Sequence, residues 1–302
     1  MRRIFVTIFV SFIFVTQFHA VFAQDNKDAV TELKVMSFNI WGGGGKSIDE
    51  TINVIKSTSA DIVGLQEANK GAEKIIKSLS LHTCIASQSC VIVSRYPIVQ
   101  TSPSKKGCKI KLDENKFVWM FNVHLPHCPY GPYQLNDIKY CGAPVLNNAK
   151  DATNTAWRTH KNEVEKTIAE IKEAQKDNCP IFLTGDFNEP SYLDWTEKAA
   201  KAGICKIPVE WPSAKAFIEQ TNLKDSYRTK YPDEVKSKGH TWTPLPAKRE
   251  IFDRIDFLFH HGAKVEIIDV KIVGEKSDLS DIKFEKYPSD HRAVLGIFKI
   301  KN

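Results

Sequence analysis

The sequence predicts an α/β protein in which helices cover either one mixed β-sheet or a sandwich of two packed sheets. Segments with the apolar pattern of strands alternate with segments of helical periodicity along most of the chain. The loops between them are long and unequal, which argues against repeated βαβ units and against a barrel. Of the 302 residues, 42% are hydrophobic and 26% are charged, as in ordinary folded proteins. A disordered or collagen-like chain is therefore excluded.

Eight apolar segments bounded by polar or turn residues have the length and composition of strands. They are predicted at Leu33–Trp41, Asp61–Gln66, Val91–Ser94, Phe117–Leu125, Ile181–Thr184, Arg254–Phe259, Val265–Val273 and Ala293–Ile300. Helical spacing is found between them, at Ile48–Ser57, Ala72–Leu79 and Asn162–Gln175. In the last of these, Val164, Ile168 and Ile171 fall on one face. We therefore expect the helices to cover the sheets from outside.

The N-terminal segment has the pattern of a cleaved export signal. Arg2 and Arg3 precede an apolar run at Ile4–Val15, and Val21 and Ala23 provide small residues at the positions that a signal peptidase recognises. The run is shorter than the roughly 20 residues that a transmembrane helix needs, so a membrane anchor is the less favoured alternative. We expect an exported protein, periplasmic or secreted. The predicted division of the chain is a signal in residues 1–23, a short tail in residues 24–32 and one catalytic domain in residues 33–302.

Seven cysteines predict disulfide bonds if the protein is exported, although an odd number leaves at least one of them unpaired. Cys84 and Cys90 flank a short stretch that could form a hairpin, and Cys128 and Cys141 bracket a loop rich in Pro, Tyr and Gly. These two pairs are the predicted disulfides. Buried free thiols remain the alternative, and neither spacing fits a structural zinc site.

Several predicted strands have an acid, an amide or an imidazole at, or next to, one of their ends. These positions are Asn39, Glu67, His124, Asp186 with Asn188, Asp256, and Asp290 with His291. Strand ends at one rim of a sheet can gather groups that are distant in sequence, so we expect these side chains to meet. Taken singly, each has a structural alternative: a turn cap, a loop acid or a hydrogen-bonded core histidine.

The chemistry of these residues indicates metal-assisted hydrolysis of a phosphoester. Carboxylate and amide oxygens suit a hard divalent cation such as Mg²⁺, and a histidine beside carboxylates can act as a general acid or base. The chain has no serine in a nucleophile elbow and no Walker lysine, which disfavours covalent acyl chemistry and nucleotide-driven motors. A metal ion, an acid that orients water, and imidazoles facing the phosphoryl oxygens form a consistent set.

The same residues and their neighbours form a series of motifs along the chain. The motifs are Asn39, Gln66-Glu67, Ser94-Arg95-Tyr96-Pro97, Asn122-Val123-His124, Gly185-Asp186-Phe187-Asn188, Arg254-Ile255-Asp256 and Ser289-Asp290-His291. Their order resembles the endonuclease/exonuclease/phosphatase superfamily, which includes deoxyribonuclease I, abasic-site endonucleases, neutral sphingomyelinases and inositol polyphosphate 5-phosphatases. The resemblance spans about Leu33 to Ile300. It implies a four-layer α/β/β/α sandwich, with two packed mixed β-sheets flanked by helices and the site at one rim.

The resemblance also implies a divalent metal ion, Mg²⁺ with Mn²⁺ as a possible substitute. Glu67 resembles the principal metal ligand of the superfamily, and Asn39 and Asp290 correspond to residues close to the metal or the phosphate. Asn39 is therefore a candidate for both metal and substrate binding.

The resemblance implies separate roles for five further residues. Asp186 would orient or deprotonate the attacking water, and Asn188 would hold a phosphate oxygen. His291 would contact the scissile phosphate, oriented by Asp256, while His124 would stabilise charge from the other side. Asp253 is a competing acid three residues earlier, and the Arg-Ile-Asp spacing favours Asp256.

The substrate is left open by the superfamily, so the loops must select it. Arg95 lies in a superfamily motif, and Trp242 could offer a stacking surface; both are candidate substrate-binding residues. A buried indole that anchors its loop is the alternative for Trp242. The segment Leu125–Arg158 follows His124 directly, so we expect it to overhang the site.

The sequence thus predicts a monomeric, exported, Mg²⁺-dependent phosphoester hydrolase without a transmembrane anchor. Forty-two Lys and Arg against 36 Asp and Glu give a net charge of +6, and the basic residues are scattered. Because a dedicated nucleic-acid binder concentrates its basic residues, charge does not identify the partner. Nucleic acids, nucleotides and phosphorylated small molecules or headgroups remain candidate substrates. A phosphomonoesterase and a non-catalytic phosphate-binding protein are the alternatives.

Overall fold

The computed structural model describes residues 31–87 and 89–301, in which two mixed β-sheets pack against each other between helices. The strands in chain order are β1 (Thr31–Asn39), β2 (Ile62–Gln66), β3 (His82–Ile85), β4 (Cys90–Ser94), β5 (Ile98–Thr101), β6 (Gly107–Lys111), β7 (Phe117–His124), β8 (Ile181–Asp186), β9 (Lys224–Asp225), β10 (Asp256–His261), β11 (Val265–Glu275), β12 (Ile282–Phe284) and β13 (Ala293–Ile300). The helices are α1 (Trp41–Gly44), α2 (Ile48–Thr58), α3 (Gly71–Leu79), α4 (Gly131–Leu135), α5 (Ala149–Gln175), α6 (Glu197–Lys201), α7 (Pro212–Thr221) and α8 (Ser226–Lys230).

Each sheet has a parallel pair of strands at its centre, flanked by antiparallel neighbours. The seven-stranded sheet has the order β12-β11-β13-β1-β2-β4-β3, with β1 and β2 parallel. The six-stranded sheet has the order β5-β6-β7-β8-β10-β9, with β7 and β8 parallel. Parallel strands end at the same edge of a sheet, so the last residues of β1, β2, β7 and β8 can face one another across the sandwich.

Alternation along the strands determines which residues face the other sheet. In β1, Leu33 and Val35 pack between the sheets, whereas Met36 and Phe38 pack toward α2 and α3. Strands covered on both faces need apolar residues at consecutive positions, which explains the continuous apolar runs that mark them in the sequence. In β8, Phe182 likewise faces the opposite sheet.

Helices cover the outer face of each sheet. Residues of α2 and α3, among them Val54, Ile55 and Ile75, pack on the seven-stranded sheet. Residues of α5 and α7, among them Val164 and Phe217, pack on the six-stranded sheet. The predicted four-layer α/β/β/α sandwich is therefore confirmed.

A buried polar network joins the two sheets near the edge where β1, β2, β7 and β8 end. Oδ1 of Asn122 accepts hydrogen bonds from Nε2 of Gln66 at 2.6 Å and from Oγ1 of Thr184 at 3.0 Å. Gly64 makes this approach possible, because a Cβ at its position would lie 2.0 Å from Oγ1 of Thr184. The sheets are thus held at a fixed spacing beside the strand ends.

All eight predicted strands are present, with small differences at their ends. Five short strands were not predicted. Strands β3, β5, β9 and β12 lie at sheet edges, and β6 lies next to the edge strand β5. Helix α5 begins 13 residues earlier than predicted, at Ala149 rather than Asn162. Its first half is rich in Thr and Asn and packs through small residues, so the apolar signal is weak there. The side chain of Asn148 caps this helix by accepting a hydrogen bond from the backbone N of Asp151.

The structure corrects one of the two predicted disulfides. Cys128 and Cys141 are bonded, as predicted. The predicted Cys84–Cys90 bond is wrong, because Cys84 pairs with Ile92 across β3 and β4, which offsets the two cysteines by two residues. The Cys84 thiol lies instead against Cys108 of the other sheet, and the Cys90 thiol donates to the carbonyl of Asn122.

The predicted signal in residues 1–23, and the tail up to residue 30, lie outside the described residues. Strand β1 begins at Thr31, two residues before the predicted domain start. Within the described part of the chain, none of the helices combines the length and the apolar character that crossing a bilayer requires.

Candidate active site

Strand alternation brings the predicted site residues to one rim of the sandwich. Asp186 ends β8 on the face toward the other sheet, and it is paired in register with His124 of β7 and with Asp256 of β10. Asn39 ends β1 on the facing side, and Glu67 directly follows β2. Five strands, three from one sheet and two from the other, therefore bring polar residues at their ends to one place.

The carboxylate of Asp186 is the centre of this cluster, and its side chain is 1% exposed. Its Oδ2 accepts a hydrogen bond from Nδ2 of Asn39 at 2.9 Å, and its Oδ1 accepts one from the backbone N of Asn188 at 2.9 Å. Nε2 of His124 and Nε2 of His291 lie 3.5 and 3.8 Å from the same Oδ2 atom. A single carboxylate oxygen thus faces two imidazoles and the side-chain amides of Asn39 and Asn188.

His291 and Asp256 form a buried pair beside Asp186. Nδ1 of His291 donates to Oδ2 of Asp256 at 2.9 Å, which leaves Nε2 directed toward Asp186. Burial lowers the pKa of His291, but the charges of Asp256 and Asp186 outweigh it and raise the pKa to about 10. Burial, with a contribution from Asp186, also raises the pKa of Asp256 above its ordinary value. His291 is therefore a cation at neutral pH and can stabilise negative charge.

His124 faces Asp186 from the opposite side. Its Nδ1 lies 3.0 Å from Oγ of Ser89, and its Nε2 points to Asp186. Ser89 was not predicted from the sequence, since nothing in its local pattern distinguishes it from other loop serines. Its hydroxyl fixes the orientation of the His124 ring.

Asn188 adopts a left-handed conformation, with φ of 47°, in the turn after β8. Its Nδ2 donates to the carbonyl of Leu125 at 3.0 Å and lies 3.3 Å from Oδ2 of Asp186. The amide therefore ties the end of β8 to the end of β7. In this orientation it positions Asp186 and is not free to hold a phosphate oxygen as predicted.

Glu67 and Asp290 present carboxylates that fit a divalent cation. Glu67, with φ of 52°, accepts hydrogen bonds from the backbone N of Gly42 at 2.8 Å and from Nδ2 of Asn39 at 3.3 Å. Oδ1 of Asp290 is buried without a hydrogen-bond partner among the described residues. Burial, with a contribution from the charge of Glu67, raises the pKa of Asp290 to about 6. A buried, unpartnered carboxylate oxygen beside a second carboxylate suits Mg²⁺.

Asn39 organises these acids rather than facing a cation with its oxygen. Its Oδ1 accepts from the backbone N of Trp41 at 3.0 Å, while its Nδ2 donates to both Glu67 and Asp186. Asn39 thus links the Glu67 carboxylate to Asp186, and its oxygen, predicted to face a metal ion, is bonded to the backbone N of Trp41 instead.

Ligand atoms of Asp186, Asp256 and His291 also lie within 4.8 Å of one another. This set is less suited to a metal ion than Glu67 and Asp290, because the charges of Asp256 and Asp186 raise the pKa of His291 to about 10, and a protonated imidazole cannot ligate a metal ion. The set is better described as a histidine cation held between two carboxylates.

The competing acid Asp253 has a different environment from that of Asp256. Its two oxygens accept hydrogen bonds from the hydroxyl of Tyr130 at 2.6 Å and from Nε1 of Trp195 at 2.8 Å. Burial raises the pKa of Asp253 to about 6. Asp256, and not Asp253, is the acid that contacts His291, as the motif spacing indicated.

The structure places the two predicted substrate-binding side chains differently. Trp242 lies at the site, with its ring centroid 4.9 Å from that of His291. Arg95 does not: it follows Ser94, which pairs with Ile62 at the far end of β2, and its side chain lies near Asp61. Arg95 is therefore separated from Glu67 by the length of the strand.

Sequence reasoning missed a buried group behind the site, formed by His160, Glu189 and Ser213. Nδ1 of His160 lies 2.8 Å from Glu189, and its Nε2 lies 2.9 Å from the carbonyl of Pro126. Because both ring nitrogens face acceptors, His160 is a cation that joins the chain after β7 to the chain after β8. Its position four residues before Val164, on the apolar face of α5, was a signal that it is buried.

Comparisons with known proteins identify the family and agree with the fold. The sequence profile of the Endonuclease/Exonuclease/phosphatase family matches residues 36–291. The uncharacterized protein F14F9.5 of Caenorhabditis elegans is 27% identical over 288 residues, which cover 87% of this chain and 90% of that protein.

Solved structures with the same fold cover nearly the whole described chain. TDP2 of D. rerio complexed with single strand DNA product has a TM-score of 0.55 and 15% identity, covering 89% of this chain and 99% of that one. An endonuclease/exonuclease/phosphatase family protein of Bacteroides thetaiotaomicron has a TM-score of 0.55 and 16% identity, with coverages of 90% and 99%. An AP endonuclease of Archaeoglobus fulgidus has a TM-score of 0.55 and 14% identity, with coverages of 88% and 99%. At these identities the similarity concerns the fold.

Proposed function

Because the chain belongs to the endonuclease/exonuclease/phosphatase family, whose members hydrolyse phosphoester bonds, we propose that it is a Mg²⁺-dependent phosphodiesterase that uses water as its nucleophile. The arrangement around Asp186 is the single observation that carries this proposal. One buried carboxylate faces two imidazoles, and one of these is held as a cation by Asp256. Such a site can accept a proton from water while stabilising negative charge on phosphoryl oxygens.

The proposed reaction follows from these positions. The water oxygen forms a bond to phosphorus, its proton passes to Asp186, and the ester P–O bond on the opposite side breaks, so that the alcohol leaves as its alkoxide and takes up a proton from solvent. The His291 cation and His124 stabilise the negative charge that develops on the phosphoryl oxygens. A cation bound by Glu67 and Asp290 would supply further positive charge at these oxygens. No covalent enzyme intermediate is needed.

Removal of the Asp186 carboxylate tests the site. We expect Asp186→Asn to lower kcat on bis-p-nitrophenyl phosphate by about 10² to 10⁴, the range for loss of an acid–base group. EDTA should abolish the wild-type activity, and Mg²⁺ should restore it. Arg95→Gln, at the far end of β2, is the control and should retain wild-type turnover.

The same assay separates the alternatives that the sequence leaves open. Activity on p-nitrophenyl phosphate in excess of that on the diester would indicate a phosphomonoesterase. Because the D. rerio relative is complexed with DNA, plasmid DNA belongs among the first substrates assayed. Turnover of Asp186→Asn at the wild-type rate, or full activity in EDTA, would contradict the proposal.

We also propose that the protein is exported, with cleavage after Ala23. The Cys128–Cys141 disulfide supports this, since such bonds persist in oxidising compartments. Expression of the full chain in a bacterial host should give a periplasmic or secreted protein whose N-terminal residue is Gln24. An intact N-terminus on a protein retained in the cytosol would contradict the proposal.

A further inference from the structure

A small cavity adjoins the candidate active site and plays no part in the mechanism described above. Its volume is about 110 Å³, and it is lined by His127, Tyr130, Tyr133, Tyr140, Asn188, Trp242 and Ile255. Five of these seven side chains are aromatic or imidazole rings. None of the seven is a lysine or an arginine.

The cavity is close enough to the proposed phosphate position for one substrate to occupy both. Asn188 is bonded to Asp186, and Trp242 packs against His291, so two lining residues touch the catalytic cluster. Burial, together with the charges of Glu67 and Asp186, raises the pKa of the Tyr140 hydroxyl. The segment that carries the tyrosines therefore overhangs the site, as the sequence predicted.

The rings meet at right angles rather than in parallel. Tyr133 is inclined by 89° to Tyr130, with centroids 4.8 Å apart, and by 89° to Tyr140, with centroids 5.6 Å apart. A planar base is held best between parallel rings that stack on its two faces. Perpendicular rings instead form the walls of a box, which suits a compact group that can contact several ring faces or edges at once.

Carboxylates behind the rings give this box a negative character. The hydroxyl of Tyr133 and Nε1 of Trp242 donate to Oε1 of Glu250, at 2.6 and 3.1 Å. The hydroxyl of Tyr130 donates to the buried Asp253. Ring faces already attract cations through their quadrupole, and hydrogen bonds from the ring hydroxyls to carboxylates increase the electron density of the rings.

The box is also fixed before any ligand arrives. Its tyrosines lie in the segment closed by the Cys128–Cys141 disulfide, and Gly131 packs so closely on Trp211 that a Cβ there would lie 2.5 Å from the indole. An ordered pocket loses little conformational entropy on binding, which favours recognition of a small group.

We propose that this cavity binds an alkylated ammonium group on one alcohol of the phosphodiester substrate, as in a choline phosphodiester. The inference rests on the proposed function and narrows its substrate class. In this proposal His291 and a metal ion held by Glu67 and Asp290 bind the anionic phosphate. The aromatic box binds the ammonium group of the substrate, which a short linker joins to the phosphate. A membrane lipid headgroup and a soluble choline diester share this chemistry.

Two chromogenic diesters and one small cation test the inference. We expect kcat/KM for p-nitrophenylphosphorylcholine to exceed that for bis-p-nitrophenyl phosphate by at least about tenfold, a difference near 1.4 kcal/mol in transition-state binding. Tetramethylammonium chloride should inhibit the choline substrate competitively. Wild-type protein should also bind tetramethylammonium saturably in a titration followed by NMR, which requires no turnover.

Variants of one exposed tyrosine identify the cavity as the source of the preference. Tyr140→Leu should reduce the ratio of the two kcat/KM values and weaken tetramethylammonium binding, whereas Tyr140→Phe, which retains the ring, should keep both. Tyr96→Leu is the matched control, because Tyr96 lies beside Arg95 at the far end of β2, and it should leave the ratio unchanged. Turnover of phosphatidylcholine or sphingomyelin vesicles would assign the lipid source, and turnover of glycerophosphocholine alone would assign the soluble one.

Failure of this inference is distinguishable from failure of the proposed function. Mg²⁺-dependent hydrolysis of bis-p-nitrophenyl phosphate without choline preference or tetramethylammonium binding would overturn the inference and leave the phosphodiesterase intact. A preference for the p-nitrophenyl ester of thymidine 5′-phosphate would also overturn it in favour of a nucleotide. Hydrolysis of neither diester would contradict the proposed function, and the NMR titration would then decide on the cavity alone.

Discussion

Asp253 and Asp256 show how two acids three residues apart acquire different tasks. Both are buried, and burial raises the pKa of each above its ordinary value. The Asp256 carboxylate bonds to the His291 imidazole, whereas the Asp253 carboxylate accepts from Tyr130 and Trp195. One carboxylate therefore acts on a cation at the site, and the other anchors two aromatic side chains.

This difference predicts that the same substitution lowers activity at one position and stability at the other. Asp256→Asn should lower kcat by about 10² or more, since the carboxylate that orients and charges His291 is lost. Asp253→Asn should change kcat less, but it should lower the free energy of unfolding by about 1–3 kcal/mol, because the new amide NH₂ cannot accept a hydrogen bond from its neighbours. Steady-state kinetics and urea unfolding of both variants measure the two effects. A larger loss of kcat in Asp253→Asn would reverse the assignment.

At the scale of elements, helix α5 supports the site from behind. His160 reaches from its buried face to the carbonyl of Pro126 and to Glu189, and so links the segments that follow β7 and β8. These segments begin directly after His124 and Asp186. Burial lowers the pKa of His160, but the hydrogen bond and charge of Glu189 outweigh this, and the net shift is upward.

The raised pKa of His160 gives stability a defined pH dependence. A group with a higher pKa in the folded state stabilises the protein fully below its unfolded value, near 6.5, and the stabilisation is lost as pH rises through the folded value. The difference in unfolding free energy between wild type and His160→Gln should therefore be largest near pH 6 and decrease above it. Urea unfolding at several pH values measures this difference.

Lys161→Gln is the control for His160→Gln, since it removes a positive charge from the exposed side of the same helix. Its effect on stability should be within about 0.5 kcal/mol, as for most surface substitutions. If the difference in unfolding free energy between wild type and His160→Gln stays constant or grows with pH, His160 is not held as a cation.

At the scale of the whole molecule, the sequence predicts the features that have a regular pattern of apolar residues or a recognisable motif. Consecutive apolar residues such as Leu33, Val35, Met36 and Phe38 mark a strand covered on both faces, and the polar residues at its end mark the rim. Edge strands such as β5 have no such pattern, because most of their side chains face water.

Contacts between segments that are distant in sequence could not be predicted in the same way. The hydrogen bond from Asn39 to Asp186 spans 147 positions, and the bond from Tyr130 to Asp253 spans 123. Each depends on the register of strands or loops in different sheets, which composition and spacing do not specify. The wrong predictions for Cys84 and Arg95 have the same origin. Closeness in sequence did not show that Cys84 and Cys90 are offset by two residues across β3 and β4. Membership of a motif did not show that Arg95 lies at the far end of β2.

The disulfide between Cys128 and Cys141 closes a ring of chain that carries Tyr130, Tyr133 and Tyr140, while every residue bonded to Asp186 lies outside that ring. Three of the five rings that line the cavity therefore lie in a stretch of chain separate from the groups around Asp186. If the cavity binds the alcohol group as proposed, a library that randomises only the interior of this ring would vary the choice of alcohol group without altering the groups that cleave the bond.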